Sequence, residues 1–410
     1  MKILLCTQYF LPETNAPAAR WGYFVKYLAN QGHEITVLTS FPNHPLGKIF
    51  PGYKNQWRLE ENMEGMKIIR TWTFISASKK FLPRFLNYFS FIFSSFFVGL
   101  FLNDFDIMIA SSPPLSVAIL GRWLSQIKKI PLVLDIRDLW PEAIITTGYL
   151  SSKNWFYKLL ENEEKKCYQK SKKILVNSMA IYQELIKNKG VIQEKIVFIP
   201  NGADLEFFKP INEEEKQKAK KDFNLENKFV ALYTGLLGFA QAPEVLVDAA
   251  EILKDNKDII FIAAGAGPLE ADLKFKIENL KLSNIVLLGQ KPKVEMPKLI
   301  ATADVGLIPY KNKETYYKNI PSKMFDYLAG GIPIIINLDG EAARIIKEAQ
   351  AGLVVKADDA KALSKGILEL YANKTLREVM GRKGREYAEK NFDKKIAAQN
   401  LETILKNVKK

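Results

Sequence analysis

The sequence predicts an α/β protein made of two doubly wound domains in series. Three observations carry that prediction. At 410 residues the chain is too long for one ordinary domain. Short apolar runs alternate with amphipathic, helix-length stretches, the pattern of parallel sheets with helices on both faces. The same pattern restarts after about residue 205.

Residues 3–7 are the first expected strand, and 8–17 the loop after it. An amphipathic helix is expected over about 18–30, with Gly32 suited to the left-handed position that ends a helix. Residues 35–39, 107–110, 132–135 and 174–177 read as later strands of the same sheet. In the second half, 229–234 reads as a strand, 235–241 as a loop and 243–253 as a helix. Strands follow at 259–264, 285–288, 305–308 and 332–337. The domains are placed at 1–204 and 205–390, with a C-terminal helix over about 391–410 packing back on the first. Residues 211–221 are a solvated helix face. The two domains are expected to face each other across a cleft. In open α/β sheets ligands sit beyond the carboxyl ends of the strands, so the loops there are where chemistry is sought.

The net charge of +14 fits three kinds of partner: nucleic acid, an anionic membrane surface or a phosphate-rich substrate. No nucleic-acid-binding module is present in the sequence, so no nucleic acid is expected. The only cysteines, Cys6 and Cys167, form neither a metal spacing nor a disulfide framework, which points to a reducing compartment. Met1 to Cys6 runs straight into a strand without the apolar region of a signal peptide, so none is expected.

Three strand-end segments of the second half suit phosphate chemistry. In Thr234–Gln241, Gly235 and Gly238 let backbone approach a phosphate, with Gln241 beside them. The spacing Gly-x-Gly-x-x-Gly is absent, which argues against a nicotinamide dehydrogenase. In the second segment Gly265 and Gly267 precede Pro268, a helix-starting residue. In the third, Pro321 and Ser322 open a helix with Ser322 as its N-cap, and Lys323 and Asp326 lie one turn apart. Lysine there can meet a diphosphate, and a carboxylate can accept two ribose hydroxyls. The plain alternative is a capped helix with a surface ion pair. The loop at Gln290 and Lys291 is where a nucleotide base is expected.

Together with Gln8–Glu13 and Arg20, residues 41–45, and the run from Asp135 to Glu142, these segments resemble the retaining glycosyltransferases of family 4 over essentially the whole chain. The similarity is greatest to the subgroup that builds bacterial O-antigen and capsule, including N-acetyl-L-fucosaminyltransferases. The resemblance implies the GT-B fold of two Rossmann-like domains. It implies a UDP-sugar donor, an undecaprenyl-diphosphate-linked sugar acceptor, retention at the anomeric carbon, and neither metal nor cofactor. Two departures bear on the site. The broader family has two glutamates where this chain has Lys318 and Asp326, and basic residues near Leu237 and Gln241. The diphosphate would then fall to Lys323 or Arg137, with Lys318 a third candidate.

In the first domain, Glu13 and Asp138 are expected to bind acceptor or relay a proton, or else to anchor loops. Arg20 and His44 are acceptor-contact candidates, whereas His33 reads as a turn residue. Asp135 and Arg137 straddle a strand end and could pair. An acceptor-free UDP-sugar epimerase and a degenerate GT-B membrane scaffold are the alternative functions.

Residues 85–102 carry no charge. As a helix they are barely long enough to cross a bilayer. Asn87, Ser90 and Ser94 form one weakly polar stripe, and Lys79, Lys80 and Arg84 lie before or at its start. Monotopic contact with an anionic membrane surface, at the cytoplasmic face of the inner membrane, is the favoured reading over a core helix or a span.

Overall fold

The computed structural model describes residues 1–78, 80–142 and 153–409. The chain forms two compact units: Met1–Pro200 with Ala397–Lys410, and Asn201–Ile396.

The first unit holds an eight-stranded sheet. Its strands are β1 (Lys2–Thr7), β2 (Glu34–Ser40), β3 (Arg58–Met63), β4 (Met66–Thr71), β5 (Ile107–Ser112), β6 (Leu132–Ile136), β7 (Lys173–Val176) and β8 (Ile196–Phe198). The order is β3-β4-β2-β1-β5-β6-β7-β8, parallel except for the antiparallel pair β3–β4. The edge strand β3 escapes a search for apolar runs because its residues alternate between exposed and half-buried. Strand order reverses at β1, which pairs with both β2 and β5. The carboxyl ends of β1 and β5 are therefore a topological switch point, the place where such sheets open a crevice.

Helix α1 (Ala16–Asn30) starts at Asn15, whose side chain accepts the Ala18 N–H and satisfies an otherwise orphaned donor. It buries Trp21, Phe24, Val25 and Leu28 against the sheet. The C-terminal helix Lys394–Lys409 adds Ala397, Ala398, Leu401 and Leu405 to that same core. His33, which reads as a turn residue, accepts a further task here: its Nε2 lies 2.9 Å from Glu402 of that helix.

Helix α2 (Phe81–Leu100) covers the uncharged aromatic run, and Lys79 before it lies outside the described residues. Its inward face mixes core side chains with the polar stripe. The polar stripe faces inward: Asn87 donates to the Phe74 carbonyl, Ser90 accepts the Phe74 N–H, and Ser94 donates to the Trp72 carbonyl. Ser95 pairs with Thr71 at 2.7 Å. Phe91 and Val98 join the core, but Phe85, Phe89, Phe93 and Phe97 are each 37–54% exposed. The helix is thus neither a wholly internal core helix nor a span. Among the described residues no helix is long and apolar enough to cross a membrane.

The second unit holds a six-stranded, all-parallel sheet: β9 (Phe229–Thr234), β10 (Ile259–Ala264), β11 (Ile285–Gly289), β12 (Val305–Pro309), β13 (Ile334–Asn337) and β14 (Gly352–Val354). The order is β11-β10-β9-β12-β13-β14. Its switch point lies between β9 and β12, which share only the pairs Val305–Ala231 and Gly306–Leu232 before they part. The Tyr327 hydroxyl occupies the gap, accepting the Thr234 N–H and donating to the Leu232 carbonyl, each at 3.0 Å. Helix Ser322–Ala329, which carries Tyr327, is thereby fixed over the switch point.

Candidate functional site

Each unit places a group of polar side chains at its own switch point. In the second unit the centre is Lys323. The side chain is buried, and its Nζ has no hydrogen-bond partner. It lies 3.5 Å over the ring centroid of Tyr233, a cation–π contact at the end of β9. A Cβ placed on Gly235 would lie 3.5 Å from that Nζ. The ammonium therefore sits against bare backbone, where Gly235 takes φ = 117°. Burial pushes the Lys323 amine well below the usual lysine value, opposed by Asp326. A buried cation without an anion is costly, which is what pushes the amine down and makes Lys323 the candidate contact for an anionic ligand.

Asp326 is not the surface partner of Lys323. Burial raises its carboxyl to about 6, and the charges that counter this are first Lys394 and Lys293, with Lys323 the weakest contributor. Gln241 lies nearby in the loop after β9, and its Oε1 is buried without a partner. Gly238 keeps space for that oxygen, since a Cβ there would stand 2.7 Å from it.

Two expectations about this region are corrected. Ser322 is not the N-cap. Pro321 is, in extended conformation with its carbonyl accepting the Met324 N–H, and Ser322 is the first helical residue, exposed. Gly265 and Gly267 do not clear space for a ligand. Their loop pairs with the loop after β9 by backbone bonds Gly235 N–H to Ala264, Leu237 N–H to Ala266 and Leu269 N–H to Leu237. A Cβ on Gly265 would overlap the Gly235 carbonyl, and one on Gly267 the Leu237 carbonyl. Pro268 is exposed, and the helix it was expected to start begins at Glu270. Gln290 and Lys291 follow β11, whose last residue Gly289 accepts the Gly265 N–H at 2.8 Å. That bond joins all three loops into one rim. Gly265→Ala should destabilise the protein by about 1–3 kcal/mol through overpacking, seen as a lower Tm. An unchanged Tm would contradict the loop-to-loop packing.

In the first unit Asp135 is the hub. Its carboxylate accepts from Arg20 Nη2 at 3.0 Å, Trp21 Nε1 at 2.9 Å and Ser111 Oγ at 2.8 Å. Arg20 also donates to the Pro200 carbonyl, and its side chain is 0% exposed. It cannot meet an acceptor, and holds strand ends together instead. Arg137 lies 3.6 Å from Asp135 and donates to Ser111 Oγ and the Pro113 carbonyl. These bonds and its burial make it the weaker candidate for a diphosphate. Asp138 is half-buried beside it.

Glu13 has the anchoring role. Its Oε1 accepts the backbone N–H groups of Asn43 and His44, each at 2.8 Å, and its Oε2 accepts from Asn15. Burial raises its carboxyl to about 7 despite these bonds. His44 is lowered to about 4 by burial, so it is neutral at pH 7. Its ring meets Tyr9 edge-on at 5.5 Å. Tyr88 and Tyr233 escape a motif search, and Gln8, Tyr9 and Tyr327 fall inside the segments of the resemblance without a role, because an aromatic or amide at a strand end reads the same whether it packs or binds.

Comparison with known proteins bears on both halves. Residues 20–207 match the family model described as Glycosyltransferase Family 4, and residues 213–387 the one described as Glycosyl transferases group 1. The glycosyl transferase WcaI of Escherichia coli K12, named for colanic acid biosynthesis, is 26% identical over 404 residues, 96% of this chain and 97% of WcaI. An Escherichia coli UDP-Gal:alpha-D-GlcNAc-diphosphoundecaprenol alpha-1,3-galactosyltransferase is 26% identical over 63% of this chain and 65% of its own length. Among solved structures, sucrose-phosphate synthase from Thermosynechococcus elongatus superposes with a TM-score of 0.78 at 17% identity, covering 99% of this chain and 98% of the other. Anabaena HepE in complex with UDP and glucose superposes with 0.74 at 16% identity, covering 99% of both chains. The named relatives are transferases, which leaves the epimerase reading without support. A doubly wound fold in each half, with both family models matched in order, makes this chain a glycosyltransferase of the GT-B fold, of the group 1 and family 4 type.

Proposed function

We propose that the chain transfers a sugar, an N-acetyl amino sugar such as N-acetyl-L-fucosamine, from its UDP derivative to a polyprenyl-diphosphate-linked sugar. The reaction belongs to the assembly of a bacterial surface polysaccharide at the cytoplasmic face of the inner membrane. It needs neither metal nor cofactor. The observation that carries the reading is Lys323: a buried, unpartnered ammonium at the switch point of the second unit. The names of WcaI and of the diphosphoundecaprenol galactosyltransferase support the pathway class and the acceptor class.

The chemistry asks little covalent work of the protein. The bond from the anomeric carbon to the UDP β-phosphate oxygen breaks, and its electron pair leaves with UDP. The acceptor hydroxyl oxygen bonds the same carbon on the same face, and its proton passes to the departing phosphate. Charge grows on the diphosphate in the transition state, and Lys323 is placed to meet it. Asp326 accepts the ribose hydroxyls, while the loop at Gln290–Lys291 receives the base. Asp138 and Arg137 support the acceptor loops.

Thermal unfolding of the whole chain with a panel of nucleotide-sugars tests the donor, because a ligand bound only by the folded state raises Tm. UDP-sugars are expected to raise it and GDP-sugars not to. Turnover of UDP-sugar with undecaprenyl-diphosphate-linked sugar should yield a product of unchanged anomeric configuration. No shift with any UDP-sugar, or an inverted product, would overturn the reading.

A pH dependence follows. Asp326 accepts hydrogen bonds from two hydroxyls most strongly as the anion, so affinity for a UDP-sugar should fall as pH drops through about 6. A UDP-sugar is the right probe, since the terminal phosphate of UDP itself titrates near that pH. Asp326→Asn should weaken binding and remove this acid limb in calorimetry. An acid limb that persists in the variant would assign it to another group.

A further inference from the structure

In the second unit the segment from Tyr310 to Ile320 joins the end of β12 to the helix Ser322–Ala329, so it leads directly into Lys323. This strap is pinned to three other strand ends. The Tyr310 N–H donates to Asn337 Oδ1, at the end of β13, at 3.1 Å. The Lys311 N–H donates to the Ala240 carbonyl, in the loop after β9, at 3.0 Å. The Asn312 N–H donates to Asp358 Oδ2, beyond β14, at 2.9 Å. The Lys311 ammonium pairs with the other oxygen of that carboxylate at 3.3 Å. The Tyr317 hydroxyl then closes the strap on itself by donating to Asn312 Oδ1.

The far end of the strap is held by backbone alone. The helix Glu341–Ala349 begins with an N–H that has no acceptor inside the helix. The Tyr317 carbonyl accepts it at 2.9 Å. That carbonyl reaches the helix start only because residue 340 is glycine. Gly340 takes φ 92° and ψ -150°, a region essentially confined to glycine. A Cβ there would stand 2.2 Å from the Tyr317 oxygen and 2.6 Å from its Cα. Tyr316, the preceding residue, meets Tyr310 edge-on at 5.9 Å. The Tyr310 phenol is within electrostatic reach of Tyr233, whose ring lies under the Lys323 ammonium. The strap thus bears on Lys323 by two routes, along the chain through Pro321 and across the phenols.

We propose that Gly340 is a positioning residue for sugar transfer: it seats the Tyr317 carbonyl on the helix after β13 and so fixes the strap that carries Lys318 and leads into Lys323. Asp358 is its counterpart at the near end. The inference rests on the reading of Lys323 as the group that meets the donor diphosphate. The sugar hangs from the β-phosphate, so the groups around it come from segments next to Lys323. Groups already in place need no rearrangement as charge develops on the leaving diphosphate. Asp326 is held independently of the strap. Its helix is fixed by the Tyr327 hydroxyl, which bonds Thr234 and Leu232. The uridine half of the donor is therefore insensitive to the strap, and the half beyond the α-phosphate is sensitive to it.

Gly340→Ala in the whole chain separates the two halves, with UMP and UDP as calorimetric probes. UMP lacks the β-phosphate and should bind Gly340→Ala within about twofold of the parent, whereas UDP should lose at least about threefold in affinity relative to UMP. With the UDP-sugar that turns over in the transfer assay, kcat/KM should fall by at least about tenfold, since a displacement of about 1 Å can cost up to about a hundredfold. General damage to the fold would lower UMP and UDP binding together. Asp358→Ala adds no bulk and should show the same split on a smaller scale, about threefold in kcat/KM. Asp358→Asn keeps an oxygen for the Asn312 N–H and should recover most of that loss. If Gly340→Ala does not fold, Asp358→Ala and its rescue decide. Parallel loss of UMP and UDP affinity, or kcat/KM within error of the parent in a folded variant, would overturn the role of Gly340. Wild-type kinetics in Lys323→Ala would instead overturn the donor reading on which it rests, whereas an impaired Lys323→Ala beside fully active strap variants removes only the present inference.

Discussion

Lys323→Ala is expected to lower kcat/KM by at least about tenfold, a loss of about 1.4 kcal/mol in transition-state stabilisation. The upper end is larger. A cation about 4 Å from a phosphate oxygen is worth roughly 4 kcal/mol at an effective dielectric near 20. Lys323→Met, which keeps the volume, should lower activity likewise yet leave the free protein as stable as before or more so, because it replaces a buried amine that has no hydrogen-bond partner with an apolar side chain. Activity and stability thus move in opposite directions, which mere structural damage would not produce. The sign of the pH effect is also determined. Burial depresses the Lys323 amine, so the fold disfavours the ammonium wherever the unfolded chain's lysine is protonated. A bound diphosphate favours the ammonium and raises the amine again. UDP-sugar affinity should therefore fall as pH rises through the depressed value, at lower pH than for an exposed lysine, and Lys323→Met should abolish that alkaline limb. Wild-type kinetics in a folded Lys323→Ala protein would remove Lys323 from the site and make Arg137 the better cation.

Asp135→Ala is expected to cost about 3–5 kcal/mol of stability, the usual consequence of leaving a buried charge uncompensated. Arg20 and Trp21 would lose their shared acceptor, and Arg137 its nearest carboxylate. Denaturant unfolding followed by circular dichroism should show the loss as a lower midpoint. Asp135→Asn should recover part of it, because the amide keeps an oxygen for Trp21 and Ser111 but no charge for Arg20. A midpoint within error of the parent for Asp135→Ala would show that the hub is not structural.

The course of the two sheets was legible because the signals are local. Apolar runs such as 229–234 and 259–264 stand out against polar loops, and both became central strands, β9 and β10. The place of Lys323 in the first turn of a helix was legible for the same reason, since a helix start is a short-range pattern, but its burial was not. Other features failed for physical reasons. The strand β3 alternates exposed and half-buried residues on a sheet edge, which resembles a polar loop. Gly265 and Gly267 marked a close approach, but a glycine does not reveal whether backbone or ligand comes near. Glu13, Arg20 and Arg137 carry the residue types of an active site, and their partners, from Asn43 to Pro200, come from distant parts of the chain.

Helix α2 shows where the boundary lies. Periodicity and the absence of charge determined that residues after 80 form a helix with an aromatic face and a weakly polar one. Only the tertiary structure decided which face turns inward. The segment from Thr71 to Phe74 leaves its backbone groups to be satisfied, and Asn87, Ser90 and Ser94 satisfy them. An unpaired buried peptide group costs more than an exposed phenylalanine, so the polar stripe goes inside beside Phe91 and Val98, and the rings of Phe85, Phe89, Phe93 and Phe97 face out. Element type follows from local spacing along the chain. Orientation and the partner of each charge follow from neighbours that only folding brings together.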